Sequence, residues 1–185
     1  MAHTVQIFWK QSAGTQISQT FPMRYILASI ALVILLLPSL ALGGEVTVDD
    51  LVQRNGLYYK KFTEVPFTGE VTGKSQGTLK KGRWYGPYVH YWDNGQLRMK
   101  ATYKGGSAVG PWVSYHQNGQ LELKGTFKGG KRVGIWVRYH DNGQLYFKGR
   151  YKAGQEDGPW VGYHDNGDVN KYRTGTYKNG VKVSD

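Results

Sequence analysis

The feature that most constrains this chain is a period. Gly86, Gly110, Gly134 and Gly158 each open a similar stretch, and successive openings lie 24 residues apart. The copy beginning at Gly110 runs Gly-Pro-Trp-Val-Ser-Tyr-His-Gln-Asn-Gly-Gln-Leu-Glu-Leu-Lys-Gly-Thr-Phe-Lys-Gly-Gly-Lys-Arg-Val. A fixed interval of this length marks a repeat array, in which each unit packs mainly against its neighbours.

Within a unit, two apolar-polar runs flank an Asn-Gly pair. The pairs are Asn94-Gly95, Asn118-Gly119, Asn142-Gly143 and Asn166-Gly167. Both residue types accept positive φ, which tight hairpin turns demand, so the pairs predict turns. After the turn, Leu121, Leu123, Gly125 and Phe127 share one parity, while Glu122, Lys124, Thr126 and Lys128 share the other. That alternation is the period of a strand. Glycine every few residues and the lack of a 3.6-residue period disfavour helix. Each unit therefore reads as a β-hairpin and the chain as all-β.

A two-residue loop places Trp112 opposite Gly125, Ser114 opposite Leu123 and His116 opposite Leu121. The indole would then lie over the gap left by the glycine of its own hairpin, as would Trp136 over Gly149. A three-residue loop with a bulge at Gly119 would slip the pairing by one residue. Val113 and Tyr115 would then join the leucines on the packed face. The first register is favoured. It makes Trp112, Trp136 and Trp160, with Leu97, Leu121 and Leu145, the structural core.

The recurring Gly-x-Trp-x-x-Tyr-x-x-Asn-Gly-x-Leu, followed by Lys-Gly-x-Tyr/Phe-Lys-x-Gly, resembles the bacterial variant of the MORN repeat (membrane occupation and recognition nexus). The resemblance runs over about Gly56 to Val183. It implies an elongated, twisted antiparallel sheet built hairpin by hairpin, with no catalytic residues and no cofactor. Many proteins with this variant carry the label of a toxin–antitoxin system antitoxin, which implies a toxin as partner. The name itself implies binding to anionic lipid.

Composition bounds the partners. The chain has 24 Lys and Arg against 13 Asp and Glu, a formal net charge of +11. Such a balance favours acidic proteins, lipid headgroups or other polyanions. With no cysteine, disulfides, thiolate metal sites and a cysteine-linked lipid anchor are excluded.

Residues 1–22 are polar and without period, and read as a misassigned upstream extension or a disordered stretch. Met23-Arg24, the apolar run Tyr25–Leu37, Pro38, and the small residues Ala41 and Gly43 follow the pattern of a secretory signal, with cleavage before Gly44. The alternative is an uncleaved anchor, since residues 25–42 just reach spanning length. Either way, the residues after 44 are expected to be exported. Residues 44–76, with strands at Leu57–Phe62 and from Val65, would cap the array of residues 77–185. Two extra residues near Asn170–Arg173 predict a broken strand in the last unit.

Among recurring side chains, His116, His140 and His164 form a column. Equivalent strands are about 10 Å apart, whereas zinc ligands converge to about 2 Å from one ion. The histidines are therefore expected to flank the hairpin ends, and no metal is expected. No phosphate loop, nucleophile elbow or paired-carboxylate pattern appears, and no serine after the signal has a recurring base beside it. The expected interaction surface is the face opposite tryptophan. It carries Tyr91, Tyr115, Tyr139 and Tyr163 with Lys100, Lys124 and Lys148, and with Lys104, Lys128 and Lys152. Stacked aromatics with basic neighbours also suit single-stranded nucleic acid, a partner that an exported protein rarely meets.

Overall fold

The computed structural model describes residues 5–7, 19–21 and 45–185. The chain divides into the units Met1–Gly44 and Glu45–Asp185. In the first, β1 (Val5–Ile7) pairs antiparallel with β2 (Gln19–Phe21). The signal-like residues 23–43 lie outside the described residues.

The second unit opens with a 3-10 turn at Val48–Asp50, where Asp50 accepts hydrogen bonds from the backbone N–H and the hydroxyl of Thr47. A separate hairpin follows, β3 (Leu51–Arg54) and β4 (Leu57–Lys60). An eleven-stranded sheet then runs in strict chain order. Its first strands are β5 (Gly69–Val71), β6 (Ser75–Lys80), β7 (Arg83–Tyr91), β8 (Leu97–Lys104) and β9 (Ser107–Tyr115). They continue as β10 (Leu121–Lys128), β11 (Lys131–Tyr139), β12 (Leu145–Lys152), β13 (Gln155–Gly162), β14 (Gly175–Lys178) and β15 (Val181–Ser184). All neighbours are antiparallel and the sheet does not close.

The turns differ from the sequence expectation. His116 N–H donates to Gln120 O (2.8 Å) and Gly119 N–H to His116 O (2.9 Å). Gln117, Asn118 and Gly119 thus form a three-residue loop in which only the glycine has positive φ, +85°. This is the hairpin whose last loop residue sits in the left-handed region. The slip it causes is local. Tyr115, not His116, faces Leu121; Glu122 is bulged; and from Ser114 opposite Leu123 onward the favoured register returns, with Trp112 opposite Gly125. The bulge absorbs the extra loop residue. Two-residue turns with both φ positive lie at the other strand ends, at Gly105-Gly106, Gly129-Gly130 and Ala153-Gly154.

Gly110 (φ +72°) has a different role. There β9 slips two residues against β8, since Lys100 faces Val113 while Thr102 faces Val109. Bulges of this kind bend a strand and increase its twist. The same slip recurs in β11 and β13.

The core is thin and lies on one face. Trp136, Trp160 and Phe147 are buried, and Trp112 is half-buried. Rings run edge to face from Trp112 through Phe127, Trp136, Tyr151 and Trp160 to Tyr177, with centroids 5.0–6.0 Å apart, the arrangement the aromatic quadrupole favours. The glycine gap is filled, but not by the tryptophan of the same hairpin. A Cβ on Gly125 would lie 2.2 Å from the Trp136 ring, and one on Gly149 2.0 Å from Trp160. Gly125 has Trp112 beside it in its own hairpin and the following repeat on its other side, and the indole of the following repeat leans back over it.

Leu97, Leu121 and Leu145 are only half-buried and belong to neither buried cluster. The bulge at Glu122 takes Leu121 out of the Leu123–Phe127 parity and sets it opposite Tyr115. A second cluster, Leu51, Val71 and Leu79 with Phe67 and Trp84 packed on it, holds the capping segment to the array. There Thr72 N–H, just past β5, donates to Val46 O (2.8 Å). Pro66 makes only an isolated bridge to Tyr59, and the strand expected from Val65 begins at Gly69. In the last unit the strand is broken, as the two extra residues require. Tyr163 and Val169 form a lone bridge, and Arg173 folds back over the rings of Tyr146 and Phe147.

Candidate functional site

The face opposite the tryptophans carries a row that crosses seven strands. Val89 faces Lys100, which faces Val113; Val113 faces Lys124, which faces Val137; Val137 faces Lys148, which faces Val161. Cross-strand partners share a face, so valine and lysine alternate along one line. The three lysines are exposed, whereas the valines are half-buried or, at Val137, buried. Each lysine is the fourth residue of an eight-residue strand, so the row follows the midline about which the sheet twists. Lys104, Lys128 and Lys152 are exposed on the same face at the strand ends.

Two residues on from the valines stand Tyr91, Tyr115 and Tyr139 at their strand ends and Tyr163 just past β13, all half-buried. Strand alternation puts them on the valine–lysine face. The structure therefore brings together the tyrosine and lysine columns expected from sequence, and adds the valines between the lysines. The valine signal was available as a third 24-residue column. Ion pairs among the described residues join Arg54 to Glu64, Lys74 to Asp93, Arg138 to Glu122 and Lys182 to Asp185. None involves the row, and no acid stands in it between Val89 and Val161.

The turn residues have structural work. The Asn118 side-chain carbonyl accepts from Gln120 N–H (3.0 Å), and its amide donates to Asp141 O of the next loop (2.7 Å). Asn94 and Asn142 repeat the pattern. His116 Nε2 lies 3.0 Å from Tyr139 O, and His140 Nε2 lies 3.0 Å from Tyr163 O. A carbonyl can only accept, so both rings carry the proton on Nε2. Trp92 takes the histidine position in the first unit and donates to Tyr115 O (3.0 Å). The histidine column flanks the hairpin ends, as expected, and His116 and His140 tie their loops to the next. Among the described residues no group of three or more His, Asp or Glu side chains could hold a metal.

One pair escaped the sequence. Ser75 Oγ lies 2.8 Å from His90 Nδ1, and the Tyr88 hydroxyl donates to Ser75 Oγ (3.2 Å). Ser75 is 5% exposed, and burial, with Arg98 nearby, holds the His90 imidazole below its ordinary value. Burial likewise raises Tyr88. The group is a polar contact between β6 and β7. A depression of about 810 Å³ lined by Phe127, Lys131, Arg132 and Tyr151 offers cations without an acid or base beside them.

An open single sheet of tandem hairpins, with its recurring polar groups spread over a face, defines a repeat protein. Residues 84–104, 108–128 and 132–153 match the family described as MORN repeat variant. The three matches coincide with hairpins β7–β8, β9–β10 and β11–β12. Such repeats generally bind proteins or lipids. No curated protein matches the chain.

Proposed function

We propose that the chain is a non-catalytic scaffold, working outside the cytoplasm, whose valine–lysine–tyrosine face binds an acidic protein partner. One observation carries this reading: three exposed lysines in line, unpaired among the described residues and with no acid in their row. Lysines about 10 Å apart sit near the Debye length at 0.1 M salt. Their mutual repulsion is thus partly screened, while each can still meet an anion at contact distance. The half-buried Val89, Val113 and Val161 and the tyrosines supply apolar area beneath the charges, as interface centres do. The signal-like residues 23–43 support the exported address.

The test is retention of partners from the cell envelope by the full chain and by the variant K100E/K124E/K148E. Loss of acidic proteins from the variant supports the reading, and unchanged retention rejects the face. Anionic vesicles form a second arm. Salt-sensitive cosedimentation with them, without protein capture, would favour a lipid surface instead. Recovery of a growth-inhibiting protein would identify the acidic partner as a toxin.

A further inference from the structure

The valine–lysine row fixes a spacing that a ligand lying along it must match. Alternate strands are about 9.6 Å apart, twice the strand separation of about 4.8 Å, so Lys100, Lys124 and Lys148 present a cation at that interval. The row crosses the middle of the sheet. There the backbone N–H and C=O groups already pair between strands, so strand addition, which needs an edge, is closed to a ligand on this face. Recognition has to go through side chains.

A polyproline II helix advances about 9.3 Å per three-residue turn and makes no internal hydrogen bonds. An acid at every third position then lines one side at nearly the lysine interval. An α-helix with an acid every seventh residue advances about 10.5 Å, and over two repeats accumulates a mismatch of about 1.8 Å against about 0.6 Å for polyproline II. The tyrosine column supplies an independent argument. Aromatic-lined grooves are the known receptors of proline-rich segments, and Tyr91, Tyr115 and Tyr139 flank the lysine row on the same face.

We infer that the row Lys100–Lys124–Lys148, with Val113 and Val137 between the charges and the tyrosines alongside, takes a proline-rich acidic segment in polyproline II form with an acid at every third position. This rests on the proposed binding role of the face and specifies the partner's form. Carboxylates meet the lysines, and proline rings cover Val113 and the tyrosines.

The test uses the full chain and three labelled peptides read by fluorescence anisotropy: six repeats of Pro-Pro-Glu, the same composition with the glutamates clustered, and a helical peptide with glutamate every seventh residue. The period-three peptide should bind at least tenfold tighter than the clustered isomer. K124E and Y115A should each weaken it at least fivefold, with the circular dichroism spectrum unchanged. Equal binding of the two proline-rich isomers, or tightest binding of the helical peptide, overturns the spacing inference and leaves the acidic-partner reading standing. If no peptide binds and envelope retention also survives charge reversal, both fall.

Discussion

The repeat boundary at Gly125 and the one before it, at Ala101, differ by a single methyl group. At Gly125 the following indole lies against the backbone and Trp136 is 0% exposed. At Gly149 the same is true of Trp160, at 4%. Ala101 holds the equivalent place before Trp112, and that indole is only half-buried. The edge-to-face series breaks at this boundary too. Tyr58, Trp84, Tyr88 and Tyr103 form one run and Trp112 begins another. At these three tryptophans, depth of burial follows whether the backbone beneath carries a side chain.

The sharpest way to break this comparison is to remove the indoles. Trp136→Ala should cost about 3–5 kcal/mol in urea unfolding, as large-to-small core changes do. Trp112→Ala should cost nearer about 2 kcal/mol, the scale of a partly covered ring. Equal losses would mean that burial depth does not separate the two boundaries. Next in size, Gly125→Ala forces a methyl group into the Trp136 ring and should destabilise by about 1–3 kcal/mol. Ala101→Gly removes a methyl group from a looser site and should cost less than about 1 kcal/mol. A neutral Gly125→Ala would show that the indole moves aside freely.

A smaller contrast tests the loop ladder. Asn118 ties its loop to the next, whereas among the described residues Asn166 bonds only to Asp168, through that residue's side chain and backbone N–H. Asn118→Ala should therefore lose about 1 kcal/mol and Asn166→Ala measurably less, as read by local hydrogen exchange. The least effect is expected from pH at the first unit. The folded state holds the His90 imidazole below its ordinary value of 6.5 through burial and then Arg98. The unfolded chain takes up that proton first, so stability is full above about pH 6.5 and declines as pH falls from there toward the lower folded value. His90→Gln should flatten the unfolding midpoint between pH 7 and 5; an unchanged slope would remove His90 as the cause.

Much of the architecture was legible in the sequence. The 24-residue interval gave the units, and the alternation after Leu121 gave the strands. The two extra residues near Asn170 gave the broken strand, and the lysine and tyrosine columns gave the shared face. The loop type was hidden because a three-residue loop followed by a one-residue bulge returns the register of a two-residue loop. Trp112 still meets Gly125, and the pattern beyond Glu122 is the same in both cases. The glycine's true cover was hidden for another reason: in a continuous sheet Gly125 has a tryptophan on each side, and period alone does not say which one leans over. Leu121 was misplaced by the same bulge. Ser75 and His90 meet only once, in the divergent first unit, so no column announced them.

Because the tryptophan that overlies a glycine and the glycine that receives the next tryptophan belong to the same 24-residue segment, every copy brings both halves of a joint. Tandem duplication of such a segment makes a working junction at once, with no compensating change elsewhere. The length of a protein built this way is thus free to drift by whole units under selection. A methyl group at the receiving position, as at Ala101, is one small edit that loosens a chosen junction while the others stay tight.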